Sequence, residues 1–276
     1  MKKLLGCFLC AMLLVFGVSN AGAVTIDISG ARGDIGFATN SYGISAFQTA
    51  PTQITYPSSG TGVFQPYLSV QHTGLEAGMG TDAIGQFNNK RMGNPSATDG
   101  WTHSITVGDL YQSSAGYYEF LIDLNEPHNA DSKITLNQIE IYIASSGSGA
   151  SAPAMSGFGT ASDWSGGTLG TLVYELDDPG FPDFNVLMDY SLWHGQGQNV
   201  DTLIYLPMSL GGFSPDDHVY TYFQFGDAAG IVDGVPSNAG FEEIIVRQSV
   251  PEPATMLLLG SGILCLGVFG RKKFKV

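Results

Sequence analysis

Short runs of apolar and polar residues recur along the chain with the spacing of β-strands. Nine runs are rich in Val, Ile, Thr, Tyr and Phe, and they begin at Val24, Val63, Trp101, Gly116, Lys133, Gly170, Asp201, His218 and Gly240. In one run Ile139, Ile141 and Ile143 occupy every second position, and residues 219–225 alternate in the same way. The stretches between the two ends of the chain show no sustained helical period. The pattern predicts an all-β fold, an antiparallel β-sandwich of the jelly-roll kind.

Two long connections separate these runs. Residues 144–168 are rich in Gly, Ser and Ala, the composition of a flexible coil. Residues 74–100 form a second connection, rich in Gly and Asn. The strand-like runs on either side of 144–168 are too few for two stable sandwiches, so we expect an insertion loop within one domain over 24–249. Two smaller β domains are the alternative.

The N-terminus has the pattern of a secretory signal peptide. Residues 1–23 combine two lysines, an apolar stretch and small residues at Ala21 and Ala23, the positions that precede a signal cleavage site. We therefore expect a signal helix that is removed, and a mature chain that begins near Val24.

The C-terminus is also apolar and ends in positive charge. Residues 254–270 carry no charge and would extend about 25 Å as a helix, just short of a typical hydrocarbon core. Arg271, Lys272 and Lys273 follow at once, as basic residues do at the cytoplasmic ends of membrane helices. A single transmembrane helix within 250–276 is the prediction, with the β domain outside the membrane.

Pro251, Glu252 and Pro253 stand directly before this apolar segment. The triplet, the helix and the basic cluster together resemble the PEP-CTERM sorting signal of Gram-negative bacteria. The resemblance implies that an exosortase, a membrane-embedded transpeptidase-like enzyme, recognises and removes the tail. The protein would be held transiently in the inner membrane and then pass to the cell surface or the extracellular matrix.

Composition narrows the class of partner. The chain carries 25 acidic and 11 basic residues, and its net charge is −14. Because six of the basic residues lie in the two terminal segments, the body is still more acidic, and nucleic acid is excluded as a partner. All three cysteines also lie in the terminal segments, so the body has neither disulfides nor thiolate chemistry.

The body has a looser resemblance of its own. Residues 100–247, with "YYEFLIDLNE", "ITLNQIEIYIA" and "VYTYFQFG" among their strand-like runs, are similar to uncharacterised β-rich ectodomains of exported bacterial proteins of the choice-of-anchor type. That resemblance implies an architecture and no activity.

Calcium is the cofactor that the acidic loops suggest. One segment places carboxylates and amides at near-alternate positions, as a hard cation requires, and its candidate ligands are Asp123, Asn125, Glu126, Asn129 and Asp131. Further possibilities are Glu175, Asp177, Asp178, Asp183, Asp216 and Asp217. Asx turns at solvated loop ends account for the same residue types without a metal.

The sequence gives few signs of catalysis or of sugar binding. The body's five histidines are far apart, and it contains no metal-binding His pair, nucleophile elbow or phosphate-binding loop. Trp164 and Trp193 lie in polar surroundings and are the best candidates for stacking on a sugar.

The sequence predicts a non-enzymatic surface or matrix protein that binds polysaccharide or neighbouring surface proteins in a biofilm or floc. The alternative is a secreted polysaccharide-active hydrolase with a scattered carboxylate site, for example Asp123, Glu126 and Glu175.

Overall fold

The protein is built almost entirely of β-strands. The computed structural model describes residues 23–52, 66–81, 102–113, 115–126, 132–145, 154–155, 164–165, 170–193, 200–227, 234–238, 240 and 242–247. Within these ranges the helical elements are two short 3₁₀ helices, Val107–Asp109 and Tyr190–Leu192. The prediction of an all-β body is confirmed.

Sixteen strands make up the described part of the chain. The first eight are β1 (Val24–Asp27), β2 (Ile35–Asn40), β3 (Gly43–Thr49), β4 (Leu68–Val70), β5 (Thr73–Gly80), β6 (Ile105–Thr106), β7 (Tyr118–Asp123) and β8 (Lys133–Ala144). The others are β9 (Ala154–Met155), β10 (Trp164–Ser165), β11 (Thr171–Glu175), β12 (Phe184–Asp189), β13 (Thr202–Leu206), β14 (His218–Gly226), β15 (Ser237–Asn238) and β16 (Glu242–Val246).

These strands form two main sheets. Sheet I has eight strands, six of them in the order β1-β12-β8-β14-β5-β15, while β11 pairs with β8 and β6 with β14. Sheet II has six strands in the order β2-β3-β13-β7-β16-β4, and β9 and β10 form a separate two-stranded sheet. The loop predicted at 144–168 contains this small pair, and strands from both sides of it enter each main sheet.

One strand pair departs from the antiparallel prediction. β1 runs parallel to β12 at the edge of sheet I, with Val24 opposite Phe184, whereas the other pairs of the two sheets are antiparallel. A short hairpin can join only antiparallel strands. β1 and β12 are separated by most of the chain, so no hairpin fixes their relative direction.

The main core lies between the two sheets. Sheet I contributes Ile139 and Phe223 to it, and sheet II contributes Phe47 and Phe120. The rings of Phe120 and Phe223 are 6.3 Å apart between centroids and meet across the interface of the sheets. The side chains at alternate positions of β8 and β14 therefore face inward as their period predicts.

The predicted and observed strands agree best in the centre of sheet I. β8 and β14 begin at Lys133 and His218, where two of the predicted runs begin. The prediction that residues 74–100 form a connection is wrong at its beginning, because β5 occupies Thr73–Gly80. Leu75, Ala77 and Met79 alternate there, but Gly74, Gly78 and Gly80 between them give the run the composition of a loop.

One end of each sheet lies at a common edge of the molecule. β5 and β15 end the order of sheet I, and β16 and β4 end that of sheet II. The short connection from β4 to β5 joins the two sheets at this edge, which also holds the cluster of carboxylates described below.

Candidate metal centre

Three glutamates from distant parts of the sequence meet at this edge. Glu76 lies on β5 opposite the core residue Phe225, so its side chain shares the inner face of sheet I. Glu242 lies on β16 opposite the core residue Val70 and faces inward from sheet II. Glu126 follows the end of β7 and completes the cluster, which we name the glutamate triad.

The three carboxyl groups of the triad are close together and buried. One carboxylate oxygen from each glutamate lies within 4.8 Å of those of the other two. The exposed fractions are 0% for Glu76, 2% for Glu126 and 0% for Glu242. Bulk solvent therefore screens the three carboxyl groups little.

Backbone donors hold two of these carboxylates in place. The backbone N–H of His72 donates to Oε2 of Glu76 at 2.8 Å. The backbone N–H of Asn238 donates to both carboxylate oxygens of Glu126, at 3.2 and 3.0 Å. Asn238 lies on β15, which pairs with β5, so sheet I positions Glu126 as well as Glu76.

Three oxygens of the triad are left over. Oε1 of Glu76 and both carboxylate oxygens of Glu242 are buried and have no hydrogen-bond partner among the described residues. A buried polar atom without a partner costs about 1–3 kcal/mol, and more when the group is charged. These oxygens therefore require protons or a bound ligand to satisfy them.

Local backbone geometry explains why Glu126 and Glu242 approach each other. Gly240 passes so close to the backbone of Asn125 that a Cβ at this position would overlap the Asn125 carbonyl. Only glycine permits that approach. The glycine thus lets the chain enter β16 beside the segment that carries Glu126.

Burial and mutual repulsion oppose ionisation of the triad. Burial raises the pKa of Glu76 to about 7, and the negative charge of Glu126 adds to the effect. Burial also raises the pKa of Glu126, and it raises that of Glu242 well above the usual range, helped by the charge of Glu76. Three carboxylates in such a space require either protons or a cation.

The structure divides the predicted calcium ligands between two places. Glu126 belongs to the glutamate triad, whereas Asp123 pairs with Asp201, a residue that the sequence did not single out. Asn125 adjoins the triad through its backbone, beside Gly240. Asn129 and Asp131 lie outside the described residues, so the predicted set stays untested as a whole.

The pair of Asp123 and Asp201 lies on the outer side of sheet II. Asp123 is 2% exposed and Asp201 is 3% exposed. Oδ2 of Asp201 accepts a hydrogen bond from the backbone N–H of Leu124 at 2.7 Å. Burial raises the pKa of Asp201 to about 8, and burial and the charge of Asp201 raise that of Asp123 further. Each carboxyl opposes ionisation of its neighbour in this pair, and the shifts favour a proton on Asp123, which could donate to Asp201.

The remaining acidic loops act as acceptors for backbone donors. Asp177 accepts from the N–H of Phe184 and Asp178 from the N–H of Ser41, both at 2.8 Å. Asp217 accepts from the N–H of Ser214 at 2.8 Å. None of these bonds is an Asx turn, because the donors are not two residues beyond the acceptors. Each carboxylate nevertheless has a backbone partner without a metal.

The carboxylates of the alternative hydrolase are spread over both sheets. Glu175 lies on β11 of sheet I, where it is opposite Glu140, whereas β7 of sheet II carries Asp123. Burial and the charges of Glu140 and Asp178 raise the pKa of Glu175. The fold thus places Glu175 and Asp123 on strands of different sheets.

Trp193 lies in an apolar cluster, which differs from the exposed setting that its sequence neighbours predict. It is 8% exposed and packs in a cluster with Leu121 and Ile245 on the outer face of sheet II. The guanidinium of Arg32 lies 4.0 Å above its ring centroid and donates to the Leu192 carbonyl. One ring face is therefore covered by the protein itself. Trp164 belongs to β10, and its ligand role, like that of Trp193, stays a prediction.

Sequence reasoning missed Glu76 and Glu242. The period of β16 carried one signal, since Glu242 shares a face with Ile244 and Val246, both core residues. A glutamate at an inward position of a strand is unusual unless it is paired or binds a cation. Glu76 gave no such signal, because glycines occupy the inward positions around it.

The two terminal segments lie outside the described residues. These segments include Ala21, the apolar stretch 254–270 and the motif residues Pro251, Glu252, Pro253, Arg271, Lys272 and Lys273, while Ala23 is the first residue described. In the described part of the chain, no helix is long and apolar enough to cross a membrane.

Comparison with known proteins identifies the C-terminal segment. No curated protein and no solved structure matches the chain, so the similarity of residues 100–247 to choice-of-anchor ectodomains has no support from these comparisons. Residues 249–273 match the family described as the PEP-CTERM protein-sorting motif. The resemblance of the tail is confirmed, and the chain is an exported protein that carries an exosortase sorting signal.

Proposed function

We propose that this protein is a non-enzymatic component of the cell surface or extracellular matrix that binds neighbouring surface proteins. The sorting motif at residues 249–273 carries the proposal, because such a motif belongs to exported proteins that an exosortase sorts. The net charge of the whole chain is −14 and the β domain is still more acidic, which favours solubility and repels anionic surfaces.

An exposed apolar strip on sheet II favours a protein partner. Ile35 and Phe37 on β2 are 49% and 57% exposed, and Ile44 on β3 is 50% exposed. The register pairs Phe37 with Ala46 and Thr39 with Ile44, so the three apolar side chains share one face. β2 is the edge strand of its sheet, and clustered apolar residues at an edge are typical of interaction surfaces.

A cell-retention assay tests this function. Purified protein is added to host cells that lack the gene, and the amount held at the surface is measured for the wild type and for Phe37→Ser. Because burying a Phe side chain contributes about 1.5–3 kcal/mol, we expect apparent affinity to fall about 10- to 100-fold. Thr39→Ser, on the same face of the same strand, is the matched control and should bind like the wild type.

Polysaccharide is the second ligand to test. Trp164 and Trp193 motivate a glycan array that is run with and without calcium. Glycan retention that is unaffected by Phe37→Ser but lost in Trp164→Ala would replace the protein partner with polysaccharide. Turnover of any polysaccharide, lost on substitution of one carboxylate, would overturn the non-enzymatic proposal in favour of a hydrolase.

A further inference from the structure

The glutamate triad places three carboxyl groups together where sheet I and sheet II meet. Each carboxylate comes from a different segment of the chain, and the three are 0–2% exposed. Two independent features point to a ligand among them. One carboxylate oxygen from each glutamate lies within 4.8 Å of those of the other two, and both oxygens of Glu242 are buried without a hydrogen-bond partner among the described residues.

The chemistry of the donors selects the class of ion. The triad offers only carboxylate oxygens, which are hard ligands preferred by Ca²⁺, whereas Zn²⁺ favours His and Cys. Ca²⁺ binds oxygens at about 2.3–2.6 Å, so ligands on opposite sides of one ion lie up to about 5 Å apart. The spacing of the triad fits such an ion, and three carboxylates that bind in bidentate fashion supply up to six oxygens.

We propose that Glu76, Glu126 and Glu242 bind one calcium ion that fastens sheet I to sheet II at their common edge. The ion joins β5 to β16 and to the segment after β7, which no hairpin connects directly. An exported protein meets calcium at concentrations for which extracellular modules are tuned, about 10⁻⁴–10⁻³ M. The proposal does not depend on which partner the protein binds.

The effect of calcium on the melting temperature distinguishes a triad that binds the ion from one that is neutralised by protons. Without calcium the triad is a set of repelling carboxyls, so Glu242→Gln should raise the melting temperature of the metal-free protein at pH 8. With calcium present the order should reverse, because the wild type gains from the ion and the variant loses one ligand. A triad neutralised by protons alone gives no such reversal.

The experiment uses the full chain in a mild detergent, with EDTA or with about 10 mM CaCl₂. For a dissociation constant of about 10⁻⁴ M, that calcium concentration should raise the melting temperature of the wild type by about 5–10 °C. The shift should fall below half of that in Glu242→Gln and in Glu126→Gln. Glu243→Gln is the matched control, since it makes the same change on the opposite face of β16 and should keep the shift.

Calorimetric titration of the wild type with calcium tests binding directly, even if a variant does not fold. One calcium ion bound per chain, with at least tenfold weaker binding in either triad variant that does fold, supports the proposal. Absence of binding to the wild type overturns it. Binding that survives both triad substitutions but is lost in Asp123→Asn places the ion elsewhere and also overturns it. Stronger stabilisation by Mg²⁺ or Zn²⁺ than by Ca²⁺ refutes the choice of metal.

Discussion

Replacement of Asp123 by Asn should change how the protein's stability depends on pH. Burial and the neighbouring charge raise the pKa of Asp123 well above its ordinary value, and burial raises that of Asp201 to about 8. Asn is the neutral isostere of protonated Asp and can donate the same hydrogen bond to Asp201. The substitution therefore preserves the contact and removes the need to retain a proton.

The sign of the effect follows from the raised pKa values. Both groups bind protons more tightly in the folded than in the unfolded state, where an Asp titrates near pH 3.9. Their contribution to stability is therefore complete at low pH and is lost as the pH rises from about 4 through about 8. Each proton that only the folded state retains lowers the free energy of unfolding by about 1.4 kcal/mol per pH unit.

One retained proton sets the expected difference in the free energy of unfolding. Between pH 5 and pH 7 the wild type should lose about 2.7 kcal/mol that Asp123→Asn does not lose. For a chain of this size, this corresponds to a relative shift in melting temperature of about 5–10 °C.

Thermal unfolding of the two proteins at several pH values, in the same calcium concentration, measures the difference. We expect similar stability near pH 5 and a more stable variant at pH 7 and above. Parallel pH profiles, or a variant that becomes less stable as the pH rises, would refute a proton held between Asp123 and Asp201.

Two further substitutions test the fold. Gly226→Ala should lower the free energy of unfolding by about 3 kcal/mol, because φ is +79° there and a Cβ would overlap the Gly74 carbonyl. Gly212→Ala, at φ +97° with open space around it, should lower it by about 1 kcal/mol. Equal losses in urea unfolding would contradict the close approach at Gly226. Arg32→Ala should lower the free energy of unfolding by about 1 kcal/mol and alter the fluorescence of Trp193, and Arg32→Lys should have an intermediate effect. Unchanged stability and emission would show that the contact between Arg32 and the ring contributes nothing.

The centre of sheet I could be predicted from the sequence because its strands alternate strictly. Ile139, Ile141 and Ile143 all face the core, as a period of two requires. β5 alternates only weakly, in Leu75, Ala77 and Met79, because Gly78 and Gly80 occupy inward positions where apolar side chains would be expected. At Gly80 a Cβ would lie 2.9 Å from the ring of Tyr67, so glycine leaves room for a neighbouring side chain and removes the apolar signal.

The candidate site was less predictable than the fold. A dense acidic segment predicted Asp123 and Glu126 as ligands of one calcium site. In the folded chain Asp123 lies beside Asp201, whereas Glu126 belongs to the glutamate triad. Glu76 and Glu242 are far apart in the sequence, and the order of strands that brings β5 and β16 to one edge is not contained in any local period. The inward position of Glu242 was the only local sign that sequence reasoning could have used.

Export and C-terminal processing are the central claim, and the intact mass of the protein isolated from its native host tests them most directly. The sorting motif at residues 249–273 predicts removal of the tail, and the N-terminal pattern predicts removal of the signal peptide. The expected chain begins near Val24 and ends near Pro251 to Pro253. A mature chain that still ends at Val276 would contradict exosortase processing.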